Sequence, residues 1–397
     1  MKLANRMERL PAQFFAELVR QAEEKRRQGI DIINLGQGNP DQPTPGHIVE
    51  SLRKAAGNPT YHRYIPFRGL ATLKEAVAEW YWRRHRVQLD PSRHVAILIG
   101  SKIGLEEISL VLVNHGDRVL APDPGYPDYL SGIALAGGEL IPWPLLAENS
   151  FLPSLHDWPD RVRLAFINYP NNPTGKVAPP SFYDAIIAQA LERGTILAHD
   201  LAYGDITYDG IKATSLLSRP GGIDAGIEFT TLSKSYNMAG WRLGFAAGNP
   251  EVISGLELLQ DHLHCSQWGA IQEAAITALG GPDDVADNAR EQYQRRQDAF
   301  IDAAATAQWP VPRSQGSIFL WCPLPQVLTA VEWTRQLLEN TGVLVAPGTG
   351  FGPSGEGYVR IALTESESRL KEAARRIGTA LTEAVNTPIS SKSGDRQ

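Results

Sequence analysis

Short apolar runs recur through the middle of the chain, and each ends in a polar or aromatic turn. V-A-I-L-I-G (95–100) runs straight into Ser101. D-R-V-L-A-P-D-P-G-Y (117–126) ends at Tyr126, and R-L-A-F-I-N-Y-P-N-N (163–172) ends at Asn172. T-I-L-A-H-D (195–200) stops on Asp200, with Tyr203 three residues further on. I-E-F-T-T-L (227–232) leads to Lys234. Continuous apolar runs of strand length belong inside a parallel sheet that is covered on both faces. Helical patterns lie between them, as at 181–193, and supply the crossovers. The alternation predicts an α/β fold with a mostly parallel central sheet flanked by helices. In such a sheet ligands bind beyond the carboxyl ends of the strands. These turns therefore outline one site.

The most specific of them is T-L-S-K-S-Y-N-M-A-G-W-R, residues 231–242. One lysine sits between two serines, and Arg242 follows eight residues later. A further apolar run, L-G-F-A-A-G (243–248), leads out. A lysine at the rim of a sheet, desolvated and near a second cation, has its pKa lowered toward a nucleophilic amine. Such an amine forms an imine with an aldehyde cofactor. The hydroxyls and the arginine of the same string are groups that hold a phosphate. Lysine imine plus phosphate anchor is what pyridoxal phosphate (PLP) requires. The junction at Gly100–Ser101 adds a helix N-terminus, whose free N–H groups attract anions.

Outside this core the pattern is looser. Residues 12–28 read as an amphipathic helix, with Phe14, Phe15, Leu18, Val19 and Ala22 on one side. D-I-I-N-L-G-Q-G-N-P-D follows, where Gly36 and Gly38 permit close approach of backbone to a ligand. Y-H-R-Y-I-P-F-R-G (61–69) is an irregular aromatic loop that precedes a helix carrying Leu70, Leu73, Val77, Trp80 and Tyr81. After Pro282 comes one long helical pattern, then strands in I-F-L-W-C-P-L, V-L-V-A-P-G and G-Y-V-R-I-A-L. The last places Arg360 in mid-strand, a costly position for an unpaired charge. It answers a buried acid or forks onto a substrate carboxylate.

The balance of charges excludes some classes. Net charge is −6 and no basic block occurs, so nucleic acid is not an expected partner. The apolar runs are too short to cross a bilayer, and the first ten residues lack the apolar core of a signal peptide. Cys265 and Cys322 are the two cysteines, with no metal-ligand spacing, so no metal is expected and a reducing cytoplasmic setting is.

Taken together, N-L-G-Q-G-N-P-D, P-D-P-G-Y-P-D-Y, N-Y-P-N-N-P-T-G, H-D-L-A-Y-G, S-K-S-Y-N-M-A-G-W-R and G-Y-V-R-I-A-L resemble the class I/II aminotransferases of PLP fold type I. The likeness is closest to the bacillar methionine-salvage members, which aminate 4-methylthio-2-oxobutanoate to methionine. LL-diaminopimelate and alanine aminotransferases share most of these strings. The resemblance implies a large PLP-binding domain over 45–282 and a smaller α+β domain from 1–44 and 283–385, with 386–397 a disordered tail. By the same resemblance Lys234 bonds the cofactor and carries the proton, and Asp200 pairs with the pyridine nitrogen. Tyr203 and Asn172 bond the phenolate oxygen, and Tyr126 stacks on the ring. The phosphate falls to Ser101 and Lys102 through their N–H groups, with Thr231, Ser233 and Arg242. Tyr64 reaches the phosphate of a neighbouring subunit in a homodimer. Gly38, Asn172 and Arg360 take the substrate. The implied partners are an amino acid and a 2-oxo acid, exchanged by a ping-pong mechanism. A C–S β-lyase on the same fold, or a PLP-binding regulatory module, would keep much of this set, although the acidic balance weighs against the second. Phe14, Phe15 and Ile33 are expected to form an apolar side-chain pocket.

Overall fold

The apolar runs do form one sheet. The computed structural model describes residues 3–11, 14–282, 284–325 and 328–386, without the side chains of 14–18 and 384–386. The strands are β1 Ile33–Asn34, β2 Val95–Leu98, β3 Arg118–Asp123, β4 Glu139–Pro144, β5 Val162–Asn168 and β6 Ile196–Asp200. They continue as β7 Gly226–Thr231, β8 Gly244–Gly248, β9 Phe319–Pro323, β10 Val343–Leu344, β11 Ala346–Pro347 and β12 Tyr358–Ala362. Seven strands make the central sheet, in the order β2-β8-β7-β6-β5-β3-β4. All neighbours are parallel except β8, which runs against both β2 and β7.

Register lines up the strand ends that carry the polar residues. Asn168 pairs with Asp200, Asp200 with Phe229, and Thr231 with Gly244, which also faces Leu98. Side chains alternate across the sheet, so each strand fills two cores. Leu164, Phe166, Ala198 and Phe229 pack on one face beneath the helices Ser101–Leu112 and Pro250–Leu263. Ala165, Ile167 and Leu197 pack on the other, against Tyr183 and Ile186 of the helix Pro180–Arg193. The aromatic residues of the helix Ala71–His85 are core, as their spacing predicts: Trp80 and Tyr81 close on Phe245.

Two features escape the pattern. The strand β4 is exposed at most positions and carries Pro142 and Pro144, which suits an edge and leaves no apolar run to read. V-L-V-A-P-G is not one strand. Val343–Leu344 pairs parallel with β1, whereas Ala346–Pro347 pairs antiparallel with β12 in a second sheet, β11-β12-β9.

The N-terminal segment joins this second group of strands. Leu35 donates its N–H to Leu344 and accepts from Ala362, 2.8 Å each. Ile33, Phe300, Trp309, Phe319, Trp333 and Ile377 share one core there. Ile33 is fully buried in it and does not border the cavity at the ends of the central strands, which removes it from the expected side-chain pocket. Phe14 and Phe15 begin the helix Phe14–Arg27, but their side chains lie outside the described residues. Val19 and Ala22 of that helix do pack on Ile32 and Leu344. The long helix Asp284–Thr306 lies against Glu367–Asn386. Arg296 forks from it onto both oxygens of Asp41, at 2.7 Å each, and so fixes the loop before the large sheet. Asn386 closes the final helix, and the rest of the expected tail lies outside the described residues. Among the described residues no helix is long and apolar enough to cross a membrane.

Gly244 shows how tightly the strand ends are gathered. A Cβ there would stand 2.7 Å from the Thr230 carbonyl oxygen and 2.8 Å from the Ser101 nitrogen, both fixed backbone atoms. Gly244→Ala is therefore expected to cost about 1–3 kcal/mol through overpacking. A thermal midpoint equal to that of the parent protein would refute the close approach.

Candidate active site

Every cofactor- and carboxylate-binding residue read from the motifs borders a single cavity of about 790 Å³ at the strand ends, except Tyr64. Tyr64 is 84% exposed, in edge contact with Phe67.

Lys234 lies three residues past the end of β7, on a turn closed by Met238 N–H donating to Leu232 O. Its ammonium donates to the Gly38 carbonyl at 2.7 Å and lies 5.8 Å from the centre of the Tyr203 ring. Burial, then Arg360 and Arg242, disfavour its charge and lower its pKa to about 8, with Asp200 opposing. Asp200 closes β6 in a fully buried position. Burial raises its pKa despite two donors, Tyr129 Oη to Oδ2 at 2.8 Å and Ala202 N–H to Oδ1 at 3.1 Å. Burial raises the pKa of Tyr203 and Tyr126 as well, so both phenols stay protonated.

One end of the cavity is built for an anion. The helix Ser101–Leu112 starts after Gly100, which has φ +80° and no side chain to cap it. The Arg242 guanidinium packs so close to Gly100 that a Cβ there would be 2.5 Å from Nη2. Arg242 itself holds a left-handed φ of 54° where a short 3-10 turn ends, a strained setting that recurs at functional sites. Thr231 Oγ1 donates to Ser233 Oγ at 2.8 Å beside it. An uncapped helix start, two hydroxyls and a guanidinium suit a phosphate.

Arg360 projects from β12 into the cavity. Nη1 donates to Asn172 Oδ1 at 2.9 Å and Nη2 to the Gly36 carbonyl at 2.8 Å. The rings of Phe319 and Phe351 flank it at 4.0 and 4.5 Å, and burial lowers its pKa to about 10. Gly38 is where a side chain would strike Phe319, 2.5 Å from Cζ, so its backbone position depends on having no Cβ.

Sequence reasoning missed Tyr129, Phe319 and Phe351. Tyr129 stands in the same P-D-P-G-Y-P-D-Y string as Tyr126, and a tyrosine three residues on, facing the same strand ends, was the available signal. Phe319 and Phe351 gave none, because the first arrives on a strand of another sheet and the second on a 3-10 turn, Gly348–Phe351.

A lysine of lowered pKa, a buried acid and an anion cradle thus share one cavity. The profile for aminotransferase class I and II matches residues 30–377. The chain belongs to that family. An L-glutamine–4-(methylsulfanyl)-2-oxobutanoate aminotransferase of Bacillus subtilis (strain 168) is 47% identical over 376 residues, 94% of each chain. An LL-diaminopimelate aminotransferase of Moorella thermoacetica is 44% identical, over 96% of this chain and 99% of its own. Substrate-bound BacF from Bacillus subtilis superposes with a TM-score of 0.92 at 39% identity, covering 96% of this chain and 98% of that one. The fold is PLP fold type I, the enzyme is an aminotransferase, and its cofactor is pyridoxal phosphate.

Two expectations follow from this geometry. A lysine with a depressed pKa is protonated below that value and a free amine above it. The rate at which cofactor-free protein fixes PLP in a borohydride-reducible link should therefore climb with pH and level off above about 8. A profile still rising at pH 10 would contradict the lowered pKa of Lys234. Tyr129→Phe removes a donor from buried Asp200 while keeping the ring stacked on Phe166 at 4.7 Å. We expect kcat at saturating PLP to fall about tenfold, the scale of a charge-assisted hydrogen bond worth roughly 1.4 kcal/mol. An unchanged kcat would take Tyr129 out of the site.

Proposed function

We propose that the enzyme aminates 4-methylthio-2-oxobutanoate to methionine, with glutamine or another neutral amino acid as donor. Bound PLP supplies an electron sink for the carbanion formed at the substrate's α-carbon. The protein's part divides among its own residues. Lys234 would bond the cofactor and, as a free amine, would carry the α-proton. Asp200 would pair with the ring nitrogen, where a cation would answer the burial of its carboxylate. Tyr203 and Asn172 would donate to the phenolate oxygen, and Tyr126 would cover the ring. Ser101 and Lys102 through their N–H groups, with Thr231, Ser233 and Arg242, hold the phosphate. Gly38, Asn172 and Arg360 receive the substrate carboxylate, whose two oxygens match the guanidinium fork.

The observation that carries the choice of substrate is the number of guanidinium groups. Among the described residues the cavity is lined by two arginines, Arg242 and Arg360. One faces the anion cradle and the other the α-carboxylate position, which leaves no guanidinium for a distal carboxylate. Leu105, Phe319 and Phe351 add apolar surface. The 47% identity to the enzyme whose name carries this substrate supports the same reading. The LL-diaminopimelate enzymes are nearly as similar, so substrate comparison must decide.

We further propose a homodimer whose neighbouring subunit receives Tyr64. Its support is the exposed aromatic group Tyr64, Phe67 and Trp268 on the face beside the loop 61–69. A division at residues 45 and 282 into a large and a small domain accords with the separate sheets. A cytoplasmic setting accords with free thiols at Cys265 and Cys322.

With one common donor, 4-methylthio-2-oxobutanoate should show a kcat/KM at least ~10-fold above 2-oxoglutarate or oxaloacetate, which corresponds to ~1.4 kcal/mol of side-chain discrimination. A clear preference for either dicarboxylic acid, or for an acceptor related to diaminopimelate, would retire the methionine assignment.

A further inference from the structure

Four cations line the cavity among the described residues: Lys234, Arg242, Arg360 and Lys102. The first three have work at the reacting end. Lys102 contributes its N–H to the helix start, which leaves its side chain unassigned. That side chain is 42% exposed and reaches Asp128, with Nζ 2.9 Å from Oδ1. Glu106, one turn further along the same helix, lies 3.8 Å from the same ammonium. Asp128 also lines the cavity and begins the helix Asp128–Ala136, two residues after Tyr126. Both carboxylates are largely covered, at 18% and 22% exposure. Glu106 stands behind this wall rather than on it, and burial raises its pKa, so Asp128 is the carboxylate that meets the cavity.

We propose that Asp128, backed by Glu106, masks Lys102 and so denies a partner to substrates bearing a distal carboxylate. The inference rests on the aminotransferase reading above and names the residues that set its preference among acceptors. A lysine beside the cofactor cradle would otherwise be the natural partner for a second carboxylate. Here its charge is already taken by Asp128, so an incoming carboxylate finds no free ammonium there and one like charge on the wall. A masked cation of this kind discriminates where an apolar pocket alone separates substrates weakly. A thioether or aliphatic side chain meets no such penalty. An amide can donate to Asp128, which suits a glutamine donor.

The test uses the holoenzyme in its pyridoxamine phosphate form, so that no amino donor enters the comparison. Single-turnover kcat/KM is measured for 2-oxoglutarate and 4-methylthio-2-oxobutanoate in the parent, Asp128→Asn, Glu106→Gln and the double variant Asp128→Asn/Lys102→Met. Asp128→Asn keeps the shape of the side chain and removes its charge. We expect it to raise the 2-oxoglutarate to thioether ratio about tenfold while the thioether rate stays within about threefold. Glu106→Gln should shift the ratio the same way by less, and Lys102→Met should cancel the gain. An unchanged ratio in both single variants overturns the proposal, as does a gain that survives loss of the lysine ammonium. Failure of the substrate reading is seen separately, in the parent enzyme alone, as a preference for 2-oxoglutarate.

Discussion

A carboxyl group buried at the end of β6 is the costly feature around which this site is arranged. Desolvation raises the pKa of Asp200 even though Tyr129 and Ala202 donate to it and Lys234 lowers it from a distance. A buried acid in that state is poised to hold a cation brought to it, because the ion pair then offsets what burial has taken away. A protonated pyridine ring would be such a cation. Asp200 pairs in register with Asn168 of β5 and Phe229 of β7, so the acid cannot move toward solvent without breaking the centre of the sheet.

The same logic explains why Lys234 and Arg360 share one cavity. Arg360 disfavours the charge of Lys234 in a low-dielectric setting and is the leading electrostatic cause of its lowered pKa after burial. The amine is thereby made more nucleophilic. Arg360 waits on an amide oxygen and a backbone carbonyl, from Asn172 and Gly36, between two phenyl faces. A substrate carboxylate is a stronger acceptor than either and can take their place. Gly36 and Gly38 come from the N-terminal segment, Asn172 follows β5, and Arg360 belongs to the second sheet. Their hydrogen bonds therefore tie this corner of the cavity to both groups of strands. Arg296, forked onto Asp41, anchors that segment a few residues away.

How much of this was legible depended on chain continuity. Ser101, Tyr126, Asn172, Asp200 and Lys234 could be read because each follows its own apolar run, and a parallel sheet brings all such ends to one edge. The central strands were legible for the same reason. β4 was not, since an exposed edge strand with two prolines has no periodicity to display. Tyr129 was hidden by Tyr126, which accounted for the same string. Phe319 and Phe351 come to Arg360 from sequence positions that only tertiary packing brings near it. Ile33 failed differently. An apolar residue beside the substrate loop fits a pocket or a core equally well, and its pairing with Val343 puts it in the core.

Charge at the cavity wall is a further case in which sequence is silent and distance decides. Lys102, Glu106 and Asp128 are three unremarkable letters, two of them one helical turn apart and the third beyond an intervening strand. Exposed pairs of this type contribute little to stability. Their sum at a cavity wall matters in another way, because a substrate side chain meets the field of the group rather than any single pair. The family's shared apparatus of lysine, acid and phosphate cradle is indifferent to what the substrate carries at its far end. Selectivity must therefore come from residues that do none of the chemistry. Proteins 47% and 44% identical to this chain bear the names of different substrates.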